Sequence, residues 1–297
     1  MNSFKIRNVR TIGDVLGDTF KYIREYYKSL LKMTAIFVLG PVMLGSVLLV
    51  FEMSDIFLMG MVEFDPASQQ QLFQSGISIF IAFMLVFAGY GLLFGVVFQH
   101  MRHAVEGEVP MLASDFSKGM FGRIIRMILV FILLSFLFFV AFMVTIIFAA
   151  QTSLWILAAV VPLFIFLVIK LMLFPVAFFV EDAGAFNSLA RSWELTNGYF
   201  WQTFGVYLLI TIVFGILSNL LGTPLVLLGT IVGAGVGGDT AWFETLMIVF
   251  YSFSFVFQIL FFGAQNIAIG LQYFNLEERK EGHTLSEQIQ ELEKGLA

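Results

Sequence analysis

The chain has 297 residues, 59% of them hydrophobic and only 12% charged, with a mean hydropathy of +0.93. Soluble domains carry about 25% charged residues, so this surface is too poor in charge to face water, and 37 Phe exclude a disordered chain. With no cysteine, disulfides, thiolate metal sites and cysteine nucleophiles are excluded as well.

Residues 1–32 are mixed rather than apolar, which is not the pattern of a cleavable signal peptide. Ile12, Val15, Leu16, Thr19, Ile23, Tyr27 and Leu30 recur at helical spacing, with Lys21, Arg24, Lys28 and Lys32 on other faces. Thr11 and Asp14 offer an N-terminal cap. The pattern predicts an amphipathic helix, lying in the headgroup layer or packed against the chain's own spans.

A transmembrane helix needs roughly 20 mostly apolar residues. Residues 33–275 supply six such spans, at about 33–51, 77–98, 126–150, 154–180, 204–231 and 246–274. The uncharged run from Met127 to Ile169 is too long for one helix and divides at Gln151-Thr152-Ser153. Continuous apolarity excludes a barrel, whose strands alternate. Pro224 and the glycine-rich Val232 to Gly238 offer a seventh crossing, but an odd count would move the basic tail to the acidic side. A kinked span or a short re-entrant piece is the better expectation.

Between the spans, Leu112 to Met120 is a weak helical segment. Asp182 to Thr196 is a stronger one, with Asp182 as its cap, Phe186, Leu189 and Trp193 on one face, and Asn197-Gly198 as its end. Surface helix, span, span thus occurs three times, an irregular repeat. In the polar tail, residues 276–297, Thr284-Leu285-Ser286-Glu287 fits a capping box opening a short helix, for docking or simply solvated.

All of the 16 Lys and Arg except Lys170 fall on one side of these spans, while Glu52, Asp55, Glu63, Asp65, Asp239 and Glu244 fall on the other. The positive-inside rule places both termini in the cytoplasm. Trp155, Trp193, Trp201 and Trp242 sit at span ends, as an interfacial belt requires. The fold class is therefore an all-α polytopic membrane protein of six spans with cytoplasmic amphipathic interfacial helices.

Lys170 is the ionisable residue inside a span and hence the first functional candidate. It reads either as a cation for an anionic substrate or lipid phosphate, or as a snorkelling side chain. Gln258, Gln265, Asn266 and Gln272 form an intramembrane polar stretch, equally suited to helix association. The segment Gly89 to Gly95 predicts close helix packing, within the chain or between copies. His100, His103 and Glu106 share a helix side, but the set is a poor metal site. No phosphate-binding loop and no GxSxG elbow occurs, no cofactor is expected, and the outer acids Asp55, Glu63 and Asp65 have no visible base or metal partner.

Three segments carry a resemblance to a known family: Ile12-Gly13-Asp14-Val15-Leu16 with Thr19-Phe20; Glu181-Asp182 through Leu189-Ala190-Arg191-Ser192-Trp193-Glu194-Leu195-Thr196 to Gly198-Tyr199-Phe200-Trp201; and Leu271 to Gly282. The chain resembles the bacterial family named for the membrane domain of glycerophosphoryl diester phosphodiesterase. That resemblance implies a six-span bundle in the inner membrane with no established molecular activity, and the catalytic barrel of fused members has no counterpart here. Arg191, Trp193 and Trp201 match its signature, and Arg191 beside Trp193 suits a headgroup phosphate. The expectation is a non-enzymatic scaffold or lipid-interacting factor, with membrane lipids and a second membrane protein or a second copy as partners, and no nucleic acid. The competing expectation is a secondary transporter or lipid flippase for a small anionic or lipid substrate, with Lys170, Gln265 and Asn266 along its path.

Overall fold

The computed structural model describes residues 4–59, 66–109, 111–117, 119–151, 155–182, 184–235 and 240–282. Ten helices occur among them: α1 (Ile12–Phe37), α2 (Leu39–Met59), α3 (Pro66–Glu106), α4 (Ala113–Ser117), α5 (Met120–Gln151), α6 (Trp155–Leu171), α7 (Phe174–Val180), α8 (Ala185–Thr196), α9 (Phe200–Gly235) and α10 (Thr240–Glu281). Five stretches are long and apolar enough to cross a membrane: Ser75–Glu106, Met120–Phe148, Val160–Val180, Phe200–Leu220 and Val249–Glu281. Ile12–Phe37 and Leu39–Glu52, bent by 53° at their junction, make a sixth if taken together. The chain is an all-α polytopic membrane protein. Only 6% of the Met120–Phe148 apolar window is buried within the protein, so most of that helix faces the protein's surroundings.

Prolines set two helix ends. The first span was expected to begin at Met33; instead α1 runs through it to Phe37, and the break falls at Val38. Pro41 explains this, because its ring clashes with the carbonyl four residues back, that of Phe37, and cannot donate to it. The same rule ends α6 at Leu171, four residues before Pro175. One carbonyl in that last turn finds a new donor: Ser192 Oγ bonds the Lys170 oxygen at 2.7 Å. Pro224 acts differently, since α9 continues through it and no seventh crossing forms among the described residues.

Three other expectations need correction. Asp182 does not cap α8, which starts at Ala185 after Gly184 with no side-chain cap; Asp182 has a φ of +56° and meets Arg123 at 2.8 Å instead. The residues after Asn275 are not a solvated tail up to Glu281, because α10 includes them and Leu276, Glu277 and Glu278 are buried. The helix around Leu112 to Met120 reduces to the single turn of α4. Residues 283–297, with the expected capping box, lie outside the described residues, as do 60–65 and 236–239 with Glu63, Asp65 and Asp239. The Thr11–Asp14 cap does form: Asp14 N–H bonds Thr11 Oγ1 at 3.3 Å, and Thr11 N–H bonds Asp14 Oδ2 at 3.0 Å.

Contacts divide the chain into two compact units. One comprises Met1–Leu30, Phe94–Thr211 and Gln265–Ala297, the other Leu31–Leu93 and Ile212–Ala264. In the second unit α2 and α3 pack on small residues. A Cβ on Gly45 would lie 2.8 Å from the Ala82 carbonyl oxygen, and one on Gly89 would lie 2.3 Å from Val42 Cγ2. Leu49, Ala82 and Val86 form the buried core beside them. In the first unit α8 packs on α5, α6 and α7, and Gly95 lies against Met120 and Phe116. Gly89 and Gly95 thus serve close packing within the chain.

Candidate functional site

The first unit holds a polar core unusual for so apolar a chain. Arg191, on α8, is its centre. Its Nε donates to Glu181 Oε1 at 2.7 Å, its Nη2 to Glu281 at the end of α10, and Nη1 lies 3.5 Å from Glu194. Tyr273 also donates its hydroxyl to Glu181. One guanidinium therefore ties the α7–α8 link and the end of α10 to α8. Burial works against its charge, but the hydrogen bonds to Glu281 and Glu181 outweigh this and raise the pKa of Arg191.

Arg10 is the second hub. Its side chain is almost fully buried at 2% exposed, yet satisfied: Nε donates to Asp18 at 2.9 Å, Nη1 to the Ile6 carbonyl at 2.6 Å, and Nη2 to the Lys5 carbonyl at 2.7 Å. Burial lowers its pKa against the opposing pull of Asp18. Its backbone is held as well. Arg10 N–H bonds Asn275 Oδ1 at 2.7 Å, while Arg279 and Gln202 both donate to the Arg10 carbonyl, at 2.8 and 3.1 Å. Arg7 adds a pair with Glu277 at 3.1 Å. A buried charge is tolerated only when paired and hydrogen-bonded, which both hubs satisfy.

The segments that carry the family resemblance are the ones that meet here: the entry of α1, the α8–α9 region and the end of α10. Glu181, Tyr273, Asn275 and Glu281 entered the sequence reading only inside the resembling segments, and neither they nor Arg10 were expected as site residues. An isolated Arg in a mixed leader and an Asn after an apolar run carry no local signal. The alternation of Tyr273-Phe274 and Leu276 with Gln272, Asn275 and Glu277 was the readable hint of a packed polar face.

Of the predicted site residues, Arg191 is already engaged by three carboxylates. Lys170 is buried at 3% exposed, and its ammonium donates to Asn197 Oδ1 at 3.2 Å and stands over the rings of Trp193 at 5.2 Å and Phe166 at 5.6 Å. Trp193 and Trp201 are 41% and 77% exposed. Phe200 joins this collar, 5.2 Å from Phe166 and stacked 6.3 Å from Phe204, with Trp201 edge-on to both Phe200 and Phe204. So Lys170, Trp193 and Trp201 belong to one neighbourhood. Trp155 and Trp242 lie in α6 and α10, their side chains outside the described ones.

The amide stretch is not brought into one environment: Gln258 is exposed, Gln265 half-buried and Asn266 buried. Gln272 donates to Thr203 Oγ1 at 3.3 Å and accepts from Asn275 at 2.9 Å, a helix-to-helix tie. His100, His103 and Glu106 do not converge. His100 Nδ1 pairs with the Tyr22 hydroxyl at 2.6 Å, His103 Nδ1 faces its own helix's Gln99 carbonyl at 2.9 Å, and Glu106 pairs with Arg102 at 3.0 Å. No group of three or more metal-ligating His, Asp or Glu occurs among the described residues.

The face of α8 differs from expectation most usefully. Its packed side is Ser188, Ser192, Leu195 and Thr196, all fully buried, whereas Phe186 on the apolar stripe is 81% exposed. The amphipathic helix is docked by its small polar residues, with its aromatic stripe outward. No family model, curated protein or solved structure matches this chain.

Proposed function

We propose that this protein acts by engaging lipid at the basic end of its helices, as a non-enzymatic factor of a bacterial inner membrane with both termini in the cytoplasm. The observation that carries this reading is the outward aromatic face of α8. Phe186 and Trp193 on that helix, with Trp201 at the start of α9, expose large rings while the serine face is buried. Large rings left exposed beside Asn187 and Glu194, while Ser188 and Ser192 are buried, give this helix a mixed outward face that suits an interface better than bulk water. The headgroup–acyl boundary favours such rings, stabilising each by about 2 kcal/mol when it is fully covered.

Charge asymmetry along the sequence supports the cytoplasmic placing. The mutual pairing of Arg191, Glu181, Glu281 and Tyr273 supports a structural rather than a catalytic role for that cluster. Membership in the membrane-domain family is part of the same proposal, since the segments that resemble it build this end of the molecule.

The test uses brominated lipids, which quench indoles they touch. With Trp155→Phe and Trp242→Phe in place, the reading predicts that Trp193 and Trp201 in nanodiscs are quenched by bromine near the ester end of the chain. Bromine near the terminal methyl should act less. Quenching by aqueous iodide instead, with no effect of either lipid, would overturn it.

A further inference from the structure

Lys170 presents a physical problem that the fold leaves open. Lysine is almost never fully buried without a partner, and none of the ion pairs among the described residues includes Lys170. Its contacts are a neutral amide and two rings. Amide and rings offset part of the desolvation, but they do not neutralise the charge. A second cation makes the imbalance larger. Lys280 donates to the Glu194 carbonyl, the same oxygen that accepts the Asn197 N–H at 3.0 Å, so Asn197 links this cation to Lys170. Asn197, Trp193 and Lys280 are all exposed, so the buried Lys170 ammonium lies directly beneath surface residues.

Beside this pair lies an apolar cleft of about 370 Å³ between α5, α6 and α9, lined by Phe142, Phe164, Ile165, Val168, Phe204 and Tyr207 among others. Phe204 stacks on Phe200, Phe200 meets Phe166 in a tilted contact, and Phe166 lies under the Lys170 ammonium. The ring series connects the cation site to the cleft without a polar interruption. The cleft lies between apolar helices long enough to cross a membrane, and its size is within the range of small-ligand sites.

We infer that Lys170 and Lys280 bind the phosphate of one acidic phospholipid, with an acyl chain of that lipid in the cleft between α5, α6 and α9. This rests on the lipid-facing reading above and names what that end of the molecule holds. Asn197 supplies a neutral donor group beside the phosphate, and Trp193 covers the glycerol region. Arg191 is not part of the site, because three carboxylates already occupy it. An acidic lipid answers both features at once, whereas a free anion would leave the cleft unexplained.

The experiment is native mass spectrometry of the full chain released from nanodiscs of equimolar phosphatidylcholine and phosphatidylglycerol, with Lys170→Gln, Lys280→Gln and Ile165→Trp variants and a parallel sample in inorganic phosphate. Wild type should retain one phosphatidylglycerol in preference to phosphatidylcholine. Each lysine variant should lower that preference about fivefold, and Ile165→Trp, which fills the cleft with the charges intact, should release the lipid. Equal retention of the two lipids, or unchanged preference in the lysine variants, would overturn the inference. Displacement by inorganic phosphate with no effect of Ile165→Trp would assign the lysines to a free anion and overturn it too. Lys280 is exposed, so its variant carries the test even if Lys170→Gln does not fold. Bromolipid quenching of Trp193 and Trp201, read separately in the Trp155→Phe, Trp242→Phe background, distinguishes the two claims: quenching without lipid preference sinks this site alone, and loss of quenching sinks the lipid-facing reading itself.

Discussion

Arg191 shows how one side chain organises this end of the molecule. It is partly buried, with a planar fork that reaches Glu181 and Glu281 together. Replacing it by Gln leaves those carboxylates without their cation, and a lost charge-assisted bond costs about 1.5–3 kcal/mol. Arg191→Gln is therefore expected to lower the thermal midpoint in detergent by several degrees, and Arg191→Lys to recover little of it, because an ammonium cannot span both partners. Lys280→Gln, which removes only an exposed donor to the Glu194 carbonyl, should leave the midpoint nearly unchanged. Equal midpoints for all three variants would contradict the assignment of Arg191 as the tie. At this scale the sequence was only half legible. Lys170, Trp193 and Trp201 stood out because a charge in an apolar run and indoles at its ends are rare. Arg10, Asn275 and Tyr273 did not, because their importance comes from partners far away in the chain.

Among the elements, periodicity and caps were readable and tertiary choices were not. The Thr11–Asp14 box and the division at Gln151 follow from local chemistry. So does the end of α8, where Gly198 takes a φ of +83°, the left-handed region that glycine enters without strain. The breaks before Pro41 and Pro175 are equally local, yet Pro162 and Pro224 sit inside continuous helices. Position within the helix, not residue type, separates the outcomes: Pro41 and Pro175 stand in the first turn of a new helix, Pro162 and Pro224 in the interior of one. The sidedness of α8 was illegible for a different reason: a hydrophobic stripe says which face is apolar, not whether protein or lipid covers it. Packing of α2 on α3 gives a sharper test. Gly45→Ala would push a methyl group onto the Ala82 backbone oxygen, which cannot swing away, and overpacking of this kind costs about 1–3 kcal/mol. Gly76→Ala, with nothing within 4 Å, should be neutral or slightly stabilising through helix propensity. Denaturation of the two variants side by side should show the first less stable, and the reverse order would refute the close approach.

For the whole molecule, the chain's lack of cysteine makes topology directly measurable. Single cysteines at Lys5 and Lys280 should react with an impermeant maleimide from the same side of a sealed vesicle, and one at Glu52 from the opposite side. Labelling of Lys5 and Lys280 from opposite sides would contradict an even number of crossings. Hydropathy and charge made this level the most legible of the three, since composition alone excludes water as the only solvent. What they could not show is where a polar core ends and lipid begins.

The α8 face decides that boundary, and a spin-label scan along residues 185–196 tests it most directly. Lipid contact predicts oxygen accessibility with helical period, highest at Phe186, Ala190 and Trp193 and lowest at Ser188, Ser192 and Leu195. Exposure of Phe186 and Trp193 to a water-soluble nickel chelate, with oxygen excluded, would contradict the account.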